Sequence, residues 1–95
     1  MNLGHAIKLG RVQRGLTQTE LATWAGLSSG YVSLLERNQR DPVFSTIENI
    51  AHALDIPLLT LFFLASDDTE LAYLDGNIRE ILSYETLVLM RPYHD

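Results

Sequence analysis

Residues 17–36, TQTELATWAGLSSGYVSLLE, constrain this chain more than any other segment. Two short helical patterns, each opened by a side chain able to cap it, are separated by only three residues, Gly26, Leu27 and Ser28. Thr17 can accept from the amide of the third helical residue while Glu20 reaches back to the amide of Thr17, which makes a reciprocal capping box. Leu21, Ala22 and Ala25 form the apolar stripe of this helix, Gly26 supplies the turn, and Ser28 caps a following helix that directs Val32 and Leu35 inward. So short a connection forces the helices to cross steeply, and the small Ala22 and Ala25 permit close approach.

The rest of the chain follows the same all-α pattern. A first helix is predicted over about residues 3–14, with Ala6 and Ile7 inward, Gly10 as a weak point in its interior and Gly15 as a left-handed stop. RNQRDPV (37–43) reads as a polar loop, because Asp41 before Pro42 is biased away from helix. A fourth helix is predicted to begin at Ser45 with a capping box to Glu48, to carry Ile47, Ile50, Ala51 and Leu54 on one face, and to end at Asp55. Pro57, in the first turn, opens a fifth helix, PLLTLFFLA, apolar round much of its circumference. After SDD, Leu71, Leu74, Ile78 and Ile81 or Leu82 keep a near-heptad spacing on one helix from about Asp67, and YETLVLM (84–90) either continues it or forms a short edge strand.

Composition narrows the function classes. At 95 residues the chain has room for one modest core. With no cysteine there are no disulfides, thiolate metal sites or cysteine nucleophiles. No apolar run approaches a membrane span and MNLGHAIKLG lacks the order of a signal peptide, so a soluble, cytoplasmic protein with no membrane partner is expected. The formal net charge of −5 disfavours a nucleic-acid partner at first sight, but it is unevenly spread. Residues 1–64 hold Lys8, Arg11, Arg14, Arg37 and Arg40 against Glu20, Glu36, Asp41, Glu48 and Asp55. Residues 65–95 hold Arg79 and Arg91 against Asp67, Asp68, Glu70, Asp75, Glu80, Glu85 and Asp95. The excess is therefore confined to the tail, and the balanced N-terminal part can present a basic edge.

A capped helix, a glycine turn and a second short capped helix are what a helix-turn-helix requires. Residues 7–61 resemble the Cro/CI-type (Xre-like) helix-turn-helix domains of phage repressors and bacterial regulators. The resemblance is carried by Ile7, Arg11, GLTQTELA (15–22), Gly26, YVSLLE (31–36), Pro42, TIENIAHAL (46–54) and the apolar segment after Pro57. It implies a five-helix, lambda-repressor-like DNA-binding domain over residues 1–64, with its motif core at 17–36. Residues 65–95 are then an acidic helical extension, read either as a dimerisation element through Leu71, Leu74, Ile78 and Ile81, helped by Phe62 and Phe63, or as a sixth helix capping the core.

Site residues follow from the same resemblance. Gln18 stands where the family places an amide that contacts phosphate and often a recognition-helix side chain. Arg11 and Glu36 match a structural salt bridge between the first helix and the end of the third. Ser29, Gly30, Ser33 and Leu34 fall on groove-facing positions, with Ser28 and Tyr31 near the backbone. Serine discriminates bases weakly, whereas Leu34 can pack on a thymine methyl. Arg37, Asn38, Gln39 and Arg40 follow directly and are expected at phosphates, with Arg14 and, less so, Lys8 extending the basic edge. The expected partner is double-stranded DNA, bound by a homodimeric transcriptional regulator, a repressor, at a two-half-site operator. The alternative is an antitoxin or anti-activator whose protein partner binds the extension. His5, His52 and His94 lack metal-ligand spacing, Asp67, Asp68 and Glu70 suit a helix start, and no catalytic group, metal or cofactor is expected. Trp24 falls on the outer side of the second helix, as a covered aromatic or a partner contact.

Overall fold

The computed structural model describes residues 1–72 and 76–90, apart from the side chains of 77–79 and 82. Its helices are Leu3–Gln13 (α1), Gln18–Ala25 (α2), Ser29–Glu36 (α3), Phe44–Ala53 (α4), Leu58–Ala65 (α5), Asp68–Leu71 (α6) and Gly76–Leu89 (α7). There is no strand among the described residues.

The first four helices end alike. Just past each, one residue takes a left-handed φ: Gly15 at 71°, Gly26 at 72°, Asn38 at 56° and Asp55 at 54°. Two amides then fold back onto free carbonyls of the last turn. Leu16 N–H reaches Arg11 O at 3.1 Å and Gly15 N–H reaches Val12 O at 3.0 Å; after α2 the pairs are Leu27 to Ala22 at 2.8 Å and Gly26 to Thr23 at 3.4 Å. After α3 they are Gln39 to Leu34 at 2.9 Å and Asn38 to Leu35 at 3.1 Å, and after α4 Ile56 to Ala51 at 3.1 Å and Asp55 to His52 at 3.0 Å. This is the Schellman arrangement, usually completed by an apolar residue after the left-handed one. Leu16, Leu27 and Ile56 supply that residue, but Gln39 stands there after α3.

The N-termini are capped less uniformly. Asn2 Oδ1 accepts from His5 N–H at 3.0 Å, and Ser28 Oγ accepts from Tyr31 N–H at 3.1 Å. The box at α2 is complete, with Glu20 N–H to Thr17 Oγ1 at 3.0 Å and Thr17 N–H to Glu20 Oε1 at 2.9 Å. The bond from Thr17 N–H holds the Glu20 carboxyl below its ordinary value of 4.5. A depressed carboxylate stabilises the fold above the unfolded value, and that contribution is lost as pH falls below 4.5 through the folded value. The expected box at Ser45 and Glu48 does not form. Instead α4 starts one residue earlier, behind Val43, which offers no capping side chain. Pro57 likewise precedes α5 as its N-cap rather than occupying its first turn.

Packing follows from the apolar stripes. α1 lies against α3 and α5, α2 against α3 and α4, and α4 against α5. Ile7, Leu21, Val32, Leu35, Ile50, Leu54 and Leu61 are fully buried between them. Gly10, in the interior of α1, is buried where a Cβ would stand 3.1 Å from Leu54 Cδ1. Gly4 is tighter, since its Cβ would lie 2.5 Å from Leu35 O and 2.7 Å from Glu36 O. The backbone of α1 thus touches the C-terminus of α3 directly.

The extension departs most from the sequence reading. A single heptad-patterned helix from Asp67 is replaced by two, α6 and α7, so seven helices are described rather than six. Asp67 caps α6 with Glu70, whose amide reaches Asp67 Oδ1 at 2.8 Å. Residues 84–89, offered as helix or strand, belong to α7, which packs against α5 and buries Leu89. Leu74 and the Ile78 side chain lie outside the described residues, Leu71 is half-buried and Ile81 is exposed. No single helix among the described residues is long and apolar enough to cross a membrane.

Three substitutions test this packing by thermal unfolding followed by circular dichroism. Gly4→Ala places a methyl against two carbonyl oxygens and should cost about 2–3 kcal/mol, a drop in Tm of roughly 10 °C or more. Gly10→Ala needs only a small movement of Leu54, and its gain in helix propensity of up to about 1 kcal/mol should leave Tm nearly unchanged. Thr60 Oγ1 is buried in α5 without a hydrogen-bond partner among the described residues, so Thr60→Val should raise stability by about 1 kcal/mol.

Candidate nucleic-acid interface

The site is held by one charged pair. Arg11 Nε donates to Glu36 Oε2 at 2.7 Å and Nη2 donates to Oε1 at 3.1 Å, a bidentate contact between α1 and the last residue of α3. The Glu36 side chain is 3% exposed and that of Arg11 13%. Burial of this kind is tolerated only when the remaining donors and acceptors are satisfied. Arg11 Nη1 accordingly donates to Leu16 O at 2.8 Å, and Gln18 Nε2 donates to Glu36 Oε1 at 3.1 Å. Gln18, which is half-buried, therefore joins the start of α2 to the end of α3.

α3 turns Val32 and Leu35 into the core and leaves the other side open. Ser28, Ser29 and Gly30 are exposed, and Tyr31, Ser33 and Leu34 are half-buried. The open face is thus small and polar with one aliphatic residue, which suits soft base reading rather than bidentate recognition. Arg37 and Arg40 are exposed just beyond it and lean on α3. Arg37 Nε donates to Ser33 O at 3.3 Å, and the Arg40 guanidinium lies 5.7 Å from the centre of the Tyr31 ring.

Two expected phosphate contacts are engaged elsewhere. Asn38 Oδ1 accepts from Gly4 N–H at 3.0 Å, and its Nδ2 donates to Asn2 Oδ1 at 2.8 Å. Arg14 does not extend the basic edge. Its Nε donates to Leu54 O at 2.8 Å and Nη2 to Asp55 O at 2.9 Å, so it caps the C-terminus of α4, where a cation also meets the helix dipole favourably. Lys8 is exposed on α1. Sequence reasoning missed Asn2 and Gly4 entirely. Asn2 was visible as a helix-capping residue type, but nothing local announces that its side chain also holds Asn38.

These elements reproduce a known pattern. A family model described as helix-turn-helix, of the Xre/Cro–CI type, matches residues 7–61, more than half of the chain. The chain belongs to this family. Among its relatives, the immunity repressor protein of Bacillus phage phi105 is 45% identical over 56 residues, which cover 59% of this chain and 39% of the phage protein. The HTH-type transcriptional regulator SinR of Bacillus licheniformis is 36% identical over 69 residues, 72% of this chain and 61% of SinR. The helix-turn-helix chain described here thus spans less than two thirds of either relative. Solved structures agree in fold over a longer stretch. The clp gene regulator ClgR of Corynebacterium glutamicum matches with a TM-score of 0.69 at 27% identity, over 97% of this chain and 93% of that one. The wild-type restriction-modification controller protein C.Esp1396I matches at 0.62 with 27% identity, over 90% of this chain and 91% of its own.

The charged pair defines a test of the frame. Glu36→Ala strands a buried guanidinium and removes the acceptor of Gln18, so urea unfolding should show a loss of about 3–5 kcal/mol. The double variant Arg11→Met with Glu36→Leu leaves no uncompensated charge and should recover most of that loss. Equal stability of the single and double variants would contradict this account.

Proposed function

We propose that this chain is a sequence-specific transcriptional regulator, a repressor, that binds a two-half-site operator as a homodimer with α3 in the major groove. The observation that carries this reading is the open face of α3. Ser29, Gly30, Ser33 and Leu34 stand together there, beside the exposed cations Arg37 and Arg40 and above the rigid Arg11–Glu36–Gln18 support. Gln18, Ser28 and Tyr31 flank the face and suit backbone contacts, while Ser29, Ser33 and Leu34 read bases. Of the loop, Arg37 and Arg40 are assigned the phosphates, because Asn38 is engaged internally. The names of the relatives, an immunity repressor and transcriptional regulators, favour the same reading.

A face this poor in bidentate donors needs a second copy. Two half-sites about one helical turn apart multiply a weak base preference into useful specificity. For dimerisation we favour α7, on which Ile81, Tyr84 and Leu87 are 61%, 62% and 68% exposed and Val88 follows on the same side. This stripe takes over from the heptad Leu71, Leu74, Ile78 and Ile81 as the dimer element. The acidic surroundings of the extension keep it away from DNA. The same stripe also favours the second reading, an antitoxin or anti-activator that binds a different protein there.

Selection of bound duplexes from a random pool should enrich a paired motif, and no enrichment would overturn the DNA reading. Leu34→Ala should weaken the preference for one thymine by roughly 1 kcal/mol, the scale of a lost apolar contact, with little change in binding to unrelated DNA. Ile81→Glu with Leu87→Glu should give a monomer in sedimentation velocity and weaker operator binding. If the parent protein is itself a monomer that binds no selected DNA, the protein-partner reading prevails.

A further inference from the structure

The loop after α3 is fastened in a way that its own sequence does not require. At the ends of α1, α2 and α4 the left-handed residue is followed by Leu16, Leu27 or Ile56, apolar residues that complete the turn. At the end of α3 the equivalent position is Gln39, which is exposed. The hydrophobic part of the cap is missing there, and a side chain replaces it. Asn38, at φ 56°, accepts from Gly4 N–H at 3.0 Å and donates to Asn2 Oδ1 at 2.8 Å. Asn2 in turn caps α1 through His5 N–H at 3.0 Å, and its own amide donates to Ala65 O at 2.6 Å at the end of α5. Gly4 allows the contact, because a Cβ there would stand 2.7 Å from Asn38 Oδ1.

From this we infer that Asn38 is a positioning residue for DNA binding, clamping the loop that carries Arg37 and Arg40 to the N-terminal end of α1 through Gly4 and Asn2. The inference rests on the DNA-binding reading above. In this role Asn38 acts through the loop backbone rather than on a phosphate. It sits between the two cations, and its bonds hold the backbone from which both project. Without them the loop retains its backbone cap but can swing away from α1. Arg37 and Arg40 must then give up that freedom each time they meet DNA, so affinity falls although no contacting group has been removed. Asn suits the position because it tolerates the left-handed region and offers both an acceptor and a donor.

Asn38→Gly separates the clamp from the turn. Glycine adopts the left-handed conformation at no steric cost, so the fold is retained while both side-chain bonds disappear. The expected result is a protein of unchanged helix content whose affinity for random-sequence duplex DNA, measured by fluorescence anisotropy well below Tm, drops about five- to tenfold. Asn2→Ala, which removes the acceptor of Nδ2 together with the side-chain cap of α1, should give a smaller loss of affinity in the same direction. The decisive readout is a double-mutant cycle with Arg37→Ala and with Arg40→Ala. A positioning role makes the combined losses smaller than the sum of the single ones, whereas a structural role alone lowers Tm and leaves the losses additive. Unchanged affinity of both Asn38→Gly and Asn2→Ala, or strict additivity in both cycles, would overturn the inference. DNA binding by the parent protein with unaltered variants refutes the clamp alone; no DNA binding by the parent refutes the clamp and the function together.

Discussion

The bidentate contact between Arg11 and Glu36 is the interaction on which the rest depends. It fastens the first helix to the end of the third, and it does so where both groups are nearly removed from water. Such a pair is stable only if every other polar valence is met, and the demand propagates outward. Arg11 takes the carbonyl of Leu16, which fixes the turn into α2, and Glu36 takes the amide of Gln18, which fixes the start of α2 against α3. The angle between the two motif helices is therefore set by hydrogen bonds at one end and by Ala22, Ala25, Val32 and Leu35 at the other.

A support this rigid makes sense of a reading face this bland. In the proposed DNA-binding reading, serine hydroxyls and one leucine supply little energy of their own, so their value depends on being held in register with the phosphate contacts proposed for Arg37 and Arg40. The recurring helix ends serve the same purpose. Each left-handed residue closes its helix within one turn, and the next helix starts three positions later after Gly15, Gly26 and Asp55 and six positions later after Asn38, so that four helices pack within 55 residues. The exception after α3, where Asn38 fastens the loop through its side chain, falls where the proposed interface needs a fixed backbone and a polar surface together. An apolar residue in place of Gln39 would complete the cap but leave an apolar side chain on the face proposed to meet the DNA backbone.

Much of the motif was legible from the residues. Thr17 with Glu20, Ser28 before α3, and the stripe of Leu21, Ala22 and Ala25 all announced themselves, because each depends on partners within four positions. The Arg11–Glu36 pair was legible only through the family resemblance, since its members are 25 residues apart. Ser45 with Glu48 looked like a capping box and is none, because α4 begins a residue earlier and carries both positions inside the helix. Arg14 looked like a surface cation, yet its partners are the carbonyls of Leu54 and Asp55, 40 and 41 residues away. The extension failed for a related reason. A near-heptad spacing runs through residues 71–82, but Gly76 stands at the start of α7, and Leu89, which that helix buries where it packs on α5, lies outside the pattern.

By itself, then, the sequence determined where the first three helices start and stop, which faces of the first five are apolar and which family the motif resembles, since capping, turn chemistry and periodicity act within one or two turns. Tertiary structure alone decided what the polar residues between those helices do. It engaged Arg14 and Asn38 in helix-end contacts, brought Asn2 and Gly4 to the end of α3, and split the extension into α6 and α7. The physical reason is that a hydrogen bond between residues 34 to 41 positions apart depends on how whole helices pack, which no local sequence pattern specifies.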